Sequence, residues 1–442
     1  MKKIKLFLIL IIARIIAFCI RILGKSSGTS LVGMIVLKLQ PNFLKQVSEY
    51  IRATITVTGT NGKTTTSGIL SHLIALNNHT IIHNSKGANM LTGIANTFAL
   101  SLSPFKRYDF AVLESDEAYL TKLYDNLSAD YLVVTNLFRD QLDRYGELST
   151  TAKKIQNAID KNNNLQLILN ADDPLVISFK TSNRKKSPIF YGFNKIEYVN
   201  KNIVSKAPME NITCPLCGRE LEYETRFYAQ QGHYYCQCGY KRPECKYNAD
   251  VKIYDTKSEI TLTVNKQLYT FNVPLIGLYN AYNALAAIAV AFETGITDIQ
   301  GALNTYRAEF GRSEIRNING HKAIIQLIKN PTGASEVLKT VDLNSNILII
   351  INDNYADGRD VSWLWDTDFE LLKGCNKTIV ASGKRAYDMA VRLKYAEIKD
   401  VKVIKDIDKA IKYISTETQK SSSITILPTY TALLHINNKK GV

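Results

Sequence analysis

Hydrophobic and polar positions follow two repeating patterns along the first half of the chain. "ATITVTG" (53–59) and "YDFAVLE" (108–114) are apolar runs of strand length, whereas "KTTTSGILSHLIAL" (63–76) carries apolar residues at helical spacing. Helical stretches lie between several of the runs. An alternation of this kind predicts an α/β fold with a mostly parallel sheet covered by helices. Further strands are predicted at 129–137, 165–173 and 187–193.

The second half of the chain breaks and then resumes this pattern. Residues 205–250 are rich in cysteine and tyrosine and form a predicted insert. The alternating stretch 258–277 predicts a hairpin, and "NAYNALAAIAVAFETG" (280–295) predicts a helix that ends at a glycine. After a linker expected near 310–318, a second series of strands and helices predicts a Rossmann-like C-terminal domain. We therefore predict an N-terminal segment, a central domain and a C-terminal domain at 1–45, 46–312 and 313–442.

The N-terminal segment "MKKIKLFLILIIARIIAFCIRILGK" combines a basic start with an apolar run. The run, Leu6 to Ile20, is short for a membrane-spanning helix, and Arg14 near its centre would be costly in a bilayer. An Ala-x-Ala cleavage site, typical of signal peptides, is missing. Basic residues around apolar ones predict a helix on the membrane surface. A helix packed on the protein's own core, or on a partner, is the alternative.

Composition and charge narrow the classes of partner. The 442 residues are 45% hydrophobic, as expected of a globular protein with two or three domains, and the formal net charge is +15. Such an excess favours nucleic acid, anionic lipid or phosphate-rich small molecules as partners, with a merely solvated basic surface as the alternative.

The stretch "TVTGTNGKTTTSGIL" (56–70) predicts a phosphate-binding loop. A strand, a glycine-rich turn and a helix bring backbone N–H groups and the helix dipole to one point. Lys63 would place a positive charge at the phosphates, and Thr64 would offer its hydroxyl to Mg²⁺. The common spacing requires glycine at 57, where this chain has Val57, so the loop is a shortened form. The predicted nucleotide-binding residues are Gly59, Thr60, Asn61, Gly62, Lys63, Thr64 and Thr65.

Polar residues follow two of the predicted strands. "LESDEAYL" (113–120) ends a strand with three carboxylates, and a carboxylate beside a phosphate loop usually serves Mg²⁺. A solvated acidic loop is the alternative. Asn136 follows the next strand and is expected to face the same cleft. Other residues that could line this cleft are Asp140, Gln141 and Asp143.

The insert carries five of the seven cysteines in two tight groups, which argues against a disulfide framework. "CPLCG" (214–218) and "CQCG" (236–239) are typical of paired turns that hold structural Zn²⁺ with four thiolates. Cys245 or His233 could replace one ligand. Zinc ribbons also occur in nucleic-acid binders. The predicted zinc ligands are Cys214, Cys217, Cys236 and Cys238.

Taken together, these motifs resemble those of the Mur ligase family of ATP-dependent amide-forming enzymes. The matching stretches are "GTNGKTT", "LESDE", "TNLFRDQLDRYG", "NADDP" (170–174), "GLYNAYNALAA" (277–287) and "FGRSE" (310–314). The resemblance implies a Mur ligase central P-loop domain that binds ATP and Mg²⁺ at Lys63, Thr64 and Glu114. It also implies nucleotide contacts from Asn136, Asn280 and Arg312. In this chemistry a carboxylate is phosphorylated by ATP, and an amine then attacks the acyl phosphate.

The chain also departs from the general family. Many members carry histidine where this chain has Gln141, and the family's carbamoylated lysine matches no position here. About fifty residues precede the phosphate loop, so we expect no domain for a UDP-linked sugar.

A closer resemblance is to the Mur ligases that amidate lipid II together with a GatD-like glutamine amidotransferase subunit. It rests on the N-terminus, the cysteine insert, "KNPTGASE" (329–336) and "NDNYADGRDVSWLWD" (352–366). It implies a heterodimer in which the partner frees ammonia from glutamine and this chain activates the α-carboxylate of D-glutamate in lipid II. A cytoplasmic location at the inner membrane face is implied too.

The same resemblance implies that an Asp of the 352–366 loop completes the partner's Cys–His pair. Asp357 is the first choice, with Asp360 and Asp353 as alternatives. Other readings are a self-sufficient Mur-type ligase that adds an amino acid, and a zinc-ribbon P-loop ATPase that acts on nucleic acid. The motifs at 135–147 and 277–287 speak against the nucleic-acid reading, and we expect no nucleic-acid partner.

Overall fold

The computed structural model of the chain describes most of its residues. Gln141, Asp143, Phe310 and nearly all of the Gly/Ser stretch after the first helix lie outside the described part. The described residues are 2–22, 30–85, 88–140, 148–179, 181, 184–199, 213–308, 311–419 and 422–438.

A nine-stranded sheet forms the centre of the first half. Seven neighbouring strands of this sheet pair in parallel, and two further strands continue it as an antiparallel edge. The predicted parallel sheet and the predicted hairpin near 258–277 are therefore confirmed. In spatial order the strands are β11 (Gln267–Val273), β10 (Ser258–Val264), β9 (Tyr247–Ile253), β6 (Ile189–Tyr198), β5 (Gln166–Asn170), β4 (Tyr131–Val134), β1 (Ile51–Thr58), β3 (Tyr108–Glu114) and β2 (Ile81–His83).

Helices cover this sheet. The predicted glycine-terminated helix is α9, and nearly every one of its residues is buried, including a run of alanines. A helix that is apolar all round belongs in a core, and its small residues allow close packing on α4 and the strands. The helices of this half are α1 (Lys2–Ile22), α2 (Leu31–Leu39), α3 (Phe43–Ser48), α4 (Lys63–Leu76), α5 (Leu91–Ser101), α6 (Leu120–Asn126), α7 (Leu148–Asp160), α8 (Pro174–Ile177), α9 (Leu278–Glu293) and α10 (Ile299–Thr305).

A six-stranded sheet forms the C-terminal part of the chain. All neighbouring strands are parallel except β12 and β13. The linker expected near 310–318 is largely wrong, because residues 312–318 form an edge strand of this sheet. In spatial order the strands are β12 (Arg312–Ile318), β13 (His321–Gln326), β17 (Ile424–Pro428), β14 (Asn346–Ile350), β15 (Ile379–Ser382) and β16 (Lys402–Val403). The helices are α11 (Pro331–Leu338), α12 (Ala386–Tyr395), α13 (Ile407–Glu417) and α14 (Tyr430–Asn438).

The cysteine insert forms a separate small element between β6 and β9. Its two antiparallel strands, β7 (Glu222–Tyr228) and β8 (Gln231–Tyr235), stand between the two cysteine pairs. Tyr228 at the end of β7 reaches the central core, where its ring lies 5.7 Å from that of Phe138. The hairpin thus ties the insert to the core of the nine-stranded sheet.

The predicted N-terminal helix is present as α1. Leu6, Leu10 and Ala13 are buried in an apolar cluster with residues of α2 and α5, so one face of α1 packs on the protein itself. In the described part of the chain, no helix combines the length and the apolar character needed to cross a membrane.

Candidate nucleotide and metal sites

A cleft of about 460 Å³ opens where the C-terminal domain meets the carboxyl ends of β1, β3 and β4. Ligands of open parallel sheets bind at this edge. The phosphate loop forms its floor, and Arg312 and Lys329 approach from the C-terminal domain. Tyr228 of the insert also lines it. The cleft therefore gathers residues from the central sheet, the cysteine insert and the C-terminal domain.

Two glycines make the tight turn of the phosphate loop possible. Gly59 and Gly62 have positive φ angles of 124° and 87°, which residues with a side chain rarely adopt. Space is also lacking, since a Cβ on Gly59 would lie 2.3 Å from the Thr135 hydroxyl and one on Gly62 would lie 2.0 Å from the Asn283 amide oxygen. The loop leads directly into α4, whose N-terminus points into the cleft.

Lys63 is the first residue of α4 and is buried. Its ammonium donates to the carbonyl oxygens of Gly59 and Thr60, at 2.5 and 3.2 Å, and pairs with Glu117 at 3.2 Å. Burial alone would lower the pKa of Lys63, but the surrounding carboxylates outweigh it and raise the pKa above its ordinary value. Lys63 is therefore a firmly charged cation at neutral pH. The carboxylates belong to Glu117, Asp116, Glu114 and Asp140.

Thr64 is the meeting point of the predicted magnesium ligands. Its hydroxyl donates to the Glu114 carboxylate at 2.7 Å and accepts from the Arg312 guanidinium at 2.8 Å. Asn89 donates to the other Glu114 oxygen at 3.3 Å. Hydroxyl and carboxylate oxygens are the hard donors that Mg²⁺ prefers, so Thr64 and Glu114 fit the ion.

Asn136 fixes the shape of the phosphate loop. Its amide oxygen accepts from the N–H of Asn61 at 2.9 Å, and its amide nitrogen donates to the carbonyl of Asn61 at 3.1 Å. The carbonyl of Asn136 accepts from the N–H of Thr60 at 2.9 Å. The predicted nucleotide contact of Asn136 stays a prediction, and the structure adds this supporting role beside it.

Asn280 lies away from the cleft wall. It is buried in α9 and donates to the carbonyl of Ile276 at 2.8 Å. Asn283, one turn further along α9, lines the cleft instead and touches the phosphate loop at Gly62. The proposed nucleotide contact of Asn280 stays a prediction, and Asn283 is a residue that sequence reasoning missed.

The C-terminal domain contributes two more residues that sequence reasoning did not single out. Lys329 donates to the carbonyl of Thr60 at 3.2 Å and pairs with Asp140 at 2.5 Å. The side-chain amides of Asn330 and Asn61 form two hydrogen bonds. Asn330 Nδ2 donates to Asn61 Oδ1 at 3.0 Å, and Asn61 Nδ2 donates to Asn330 Oδ1 at 3.3 Å. Asn330 also caps α11 by accepting from Gly333 N at 2.8 Å, ahead of a proline in the first turn. This Asn-Pro cap lies in "KNPTGASE" (329–336), a stretch that the closer resemblance already included, and it is the local signal for the role of Asn330.

The four predicted zinc ligands come together in the insert. The Sγ atoms of Cys214 and Cys238, and those of Cys217 and Cys236, lie 3.6 Å apart, and all four are within 4.8 Å of one another. Tetrahedral zinc thiolates place sulfur atoms about 3.8 Å apart, so the donor set fits Zn²⁺. Cys245 and His233 are outside this group: the Cys245 thiol faces the carbonyl of Pro243, and His233 bonds to that of Phe193.

The three aspartates of the 352–366 loop lie in different surroundings. Asp357 is buried in the cleft wall, and its carboxylate accepts from Thr431 N at 2.7 Å and Thr431 Oγ1 at 2.6 Å. Asp353 pairs with Arg385 at 2.8 Å. Asp360 is exposed on the outer surface, and its carboxylate accepts from Ser362 N at 2.8 Å. The Ser362 hydroxyl and N–H lower the pKa of Asp360, so it is ionised.

Two family models match the chain. One, described as the Mur ligase middle domain, matches residues 57–234 and 225–291, and the other, described as the MurT ligase C-terminal, matches residues 327–433.

Two curated relatives and one solved structure show the extent of the similarity. The chain is 36% identical over 421 residues to the lipid II isoglutaminyl synthase (glutamine-hydrolyzing) subunit MurT of Staphylococcus aureus (strain COL), which covers 93% of this chain and 92% of the relative. It is 35% identical over 419 residues to the same subunit of Streptococcus pneumoniae (strain ATCC BAA-255 / R6), covering 92% and 91%. A pseudomurein peptide ligase type C from Methanothermus fervidus superposes with a TM-score of 0.68 at 23% identity, covering 92% and 84%. This last likeness shows the fold alone.

Proposed function

The chain belongs to the MurT family of Mur ligases, and from this premise we propose that it is the ligase subunit of a lipid II isoglutaminyl synthase. In this role it amidates the α-carboxylate of D-glutamate in the lipid II stem peptide, with ATP, Mg²⁺ and ammonia from a GatD-like glutaminase. The carboxylate attacks the γ-phosphorus of ATP and releases ADP. Ammonia then attacks the acyl carbon, phosphate leaves, and a proton is lost to yield the amide.

The residues of the cleft suit this transfer of a phosphoryl group. Lys63 brings a positive charge to the loop, and Arg312 brings a second from the C-terminal domain. Bound Mg²⁺ would neutralise further charge on the transferred group. Thr64 and Glu114 would hold that ion. Neutralisation of this kind is the main contribution a protein makes to phosphoryl transfer.

One observation carries the proposal: Glu114 from β3 and Arg312 from the C-terminal domain meet at Thr64 of the phosphate loop, in a chain of the MurT family. The test is amidation by the purified chain with its glutaminase subunit, ATP, glutamine and lipid II. Mass spectrometry should show that one stem-peptide carboxyl group has exchanged its hydroxyl for an amino group to become a carboxamide, with one ADP formed per amide.

Two outcomes of this assay would contradict the proposal. Product formation with an amino acid, in the absence of glutamine and of the partner, would indicate a self-sufficient ligase. ATP hydrolysis that responds to DNA or RNA and not to lipid II would indicate an ATPase acting on nucleic acid.

We also propose that the glutaminase docks on the C-terminal domain beside Asp360. Tyr387, Val391 and Tyr395 recur every four residues along α12 and are exposed on one face. The ring of Trp365, itself exposed, lies edge-on to Tyr395 at 5.3 Å. Exposed aromatic residues of this kind are typical anchors of protein interfaces. Among the three aspartates, Asp360 is the exposed one, so we assign it the role of orienting the partner's histidine.

The third part of the proposal is a structural zinc ion in the insert. A Cys214→Ser/Cys236→Ser protein should contain no zinc, because only the thiolates of Cys217 and Cys238 remain and two thiolates do not complete a tetrahedral site. Elemental analysis of the purified chain measures this, and about one zinc per chain is expected for the parent protein. A Cys245→Ser/Cys375→Ser protein is the matched control and should keep its metal. Full retention by the first variant would refute the site.

The location follows from the substrate. Lipid II is anchored in the membrane by its lipid, and ATP is a cytoplasmic compound. We therefore propose that the protein works in the cytoplasm, at the inner face of the cytoplasmic membrane.

A further inference from the structure

Helix α1 carries two apolar faces on opposite sides. Leu6, Ile9, Leu10 and Ala13 are buried against the domain. At 100° per residue, the five most exposed large apolar residues fall on the other side, within an arc of about 80°, and the less exposed Phe7 (39%) and Ile12 (41%) flank them. We call this exposed set the α1 face: Ile4, Leu8, Ile15, Phe18 and Ile22, which are between 53% and 68% exposed.

The buried face determines how α1 can meet a membrane. Because Leu6, Leu10 and Ala13 pack in one cluster with α2 and α5, the helix is held on the surface of the domain. A spanning orientation would require this packing to open. The α1 face can therefore enter a bilayer only sideways, with the helix axis in the membrane plane.

Basic residues stand at both edges of the α1 face. On the helical projection, Lys5 lies on one edge and Arg14 on the other, and both are exposed. Arg14 also donates to the carbonyl of Leu102 at 2.8 Å, so it binds the C-terminal end of α5 instead of sitting among apolar residues. Charges at the edges of an apolar arc lie where the phosphates of lipid headgroups would be. The first 48 residues contain no Asp or Glu, so nothing in this segment opposes an anionic surface.

Helix α2 extends the apolar surface to the cleft. Leu31 and Met34 on α2 are exposed, and Ser30, just before Leu31, lines the cleft. The helix packs very closely on α5 through Gly33, where a Cβ would lie 1.8 Å from the carbonyl oxygen of Thr92. Met90, at the start of α5, is part-exposed and lines the cleft as well. Exposed apolar residues of α2 and α5 thus stand at the mouth of the cleft.

We propose that the α1 face and the exposed residues of α2 form a docking surface for an anionic lipid bilayer, which holds the mouth of the ligase cleft at the membrane. This proposal rests on the proposed function in one respect only, namely the identity of the substrate that reaches the cleft. A lipid-anchored peptide then reaches the cleft while its lipid stays in the bilayer. Charge complementarity selects the bilayer over a second copy of the chain, because two such basic edges would repel one another.

The direct test is sedimentation of the full chain with vesicles. Wild-type protein should bind vesicles that contain phosphatidylglycerol more tightly than vesicles of phosphatidylcholine alone. Added salt should reduce this preference for the anionic lipid. Leu8→Glu/Ile15→Glu should weaken binding about 100-fold, roughly tenfold per lost apolar contact. The matched control is Leu268→Glu/Ile315→Glu, which alters equally exposed residues of β11 and β12 and should bind as wild type.

Three results would overturn the inference. The first is that wild-type protein does not bind phosphatidylglycerol vesicles, and the second is that Leu8→Glu/Ile15→Glu binds them as tightly as wild type. The third is that light scattering shows a wild-type dimer, that this variant is a monomer, and that vesicles change neither state.

A separate arm distinguishes failure of this inference from failure of the proposed function. Leu8→Glu/Ile15→Glu should amidate a water-soluble lipid II analogue with a short lipid as fast as wild type, and should be slower than wild type on lipid II in phosphatidylglycerol vesicles. Equal rates on both substrates would overturn the inference and leave the function intact. If wild type amidates neither substrate, the function fails, while the sedimentation result still decides the membrane surface.

Discussion

Lys63→Ala should reduce amidation at least about 1000-fold, because the transferring phosphoryl group then loses a fixed positive charge at the phosphate loop. Four carboxylates raise the pKa of Lys63, so the residue is fully charged at the pH of any practical assay. Its ammonium is already held against the loop by the carbonyls of Gly59 and Thr60. The charge is thus placed at the loop before any phosphate binds, and alanine removes it.

The variant should remain folded. Burial raises the pKa of Glu117, so this carboxyl can take up a proton once Lys63 no longer faces it. Thermal unfolding of the variant checks this directly. The rate is measured as ADP and amide formed in a single turnover, with the partner subunit present. Lys195→Ala, which removes an exposed lysine of β6, is the control and should leave the rate unchanged. A rate for Lys63→Ala within tenfold of wild type would exclude this role for Lys63.

The floor of the cleft was predictable because its signals are local. A strand, two glycines and a helix in succession define the loop, and the structure has β1 and α4 at those places. Glu114 was predictable for a related reason: parallel strands end at one edge of a sheet, so a carboxylate that closes β3 must approach the loop that follows β1. The cysteine pairs are equally local, since each pair forms its own turn.

The upper wall of the cleft was not predictable from such signals. Lys329 and Asn330 meet the phosphate loop across 269 positions of sequence, and only the packing of the two domains brings them there. Asn283 was missed for a different reason, and the nucleotide contact of Asn280 stays a prediction. Helix α9 is buried on all sides, so its apolar residues do not mark one face of the helix. The pattern therefore does not indicate which asparagine faces the cleft.

The role of Arg14 in the N-terminal helix was also not predictable from local sequence. On the sequence it is a charge within an apolar run, which argues against burial in a bilayer. Its partner, the carbonyl of Leu102 at the end of α5, is 88 positions away. A cation at the C-terminal end of a helix is favourable, so the charge that interrupts the apolar pattern also attaches α1 to the domain.

Asp360→Asn should reduce glutamine hydrolysis by the complex at least about 1000-fold, because an amide in place of the carboxylate neither holds the catalytic histidine in the required tautomer nor stabilises its charged form. Asp360 meets both requirements for acting on a histidine of another chain. It is exposed, and the hydrogen bonds from Ser362 lower its pKa and keep it ionised.

Asp357, the first choice from the sequence, is placed differently. It lies in the wall of the ligase cleft, and its carboxylate is engaged by Thr431 at the start of α14 and by Asn354 N at 3.1 Å. To reach a partner's histidine it would have to leave these bonds. In this position Asp357 holds the loop in shape, so that the same short stretch of chain belongs to the ligase cleft at Asp357 and to the outer surface at Asp360.

Free ammonium separates the role of Asp360 from a general structural one. The Asp360→Asn complex should still amidate lipid II when ammonium chloride replaces glutamine, since its ligase cleft is intact, and should fail only with glutamine. Asp353→Asn, which weakens the pair with Arg385, is the control for the loop and should retain most of both activities. If Asp357→Asn abolishes glutamine hydrolysis while Asp360→Asn does not, the loop must rearrange when the partner binds, and Asp357 is then the residue that completes the triad.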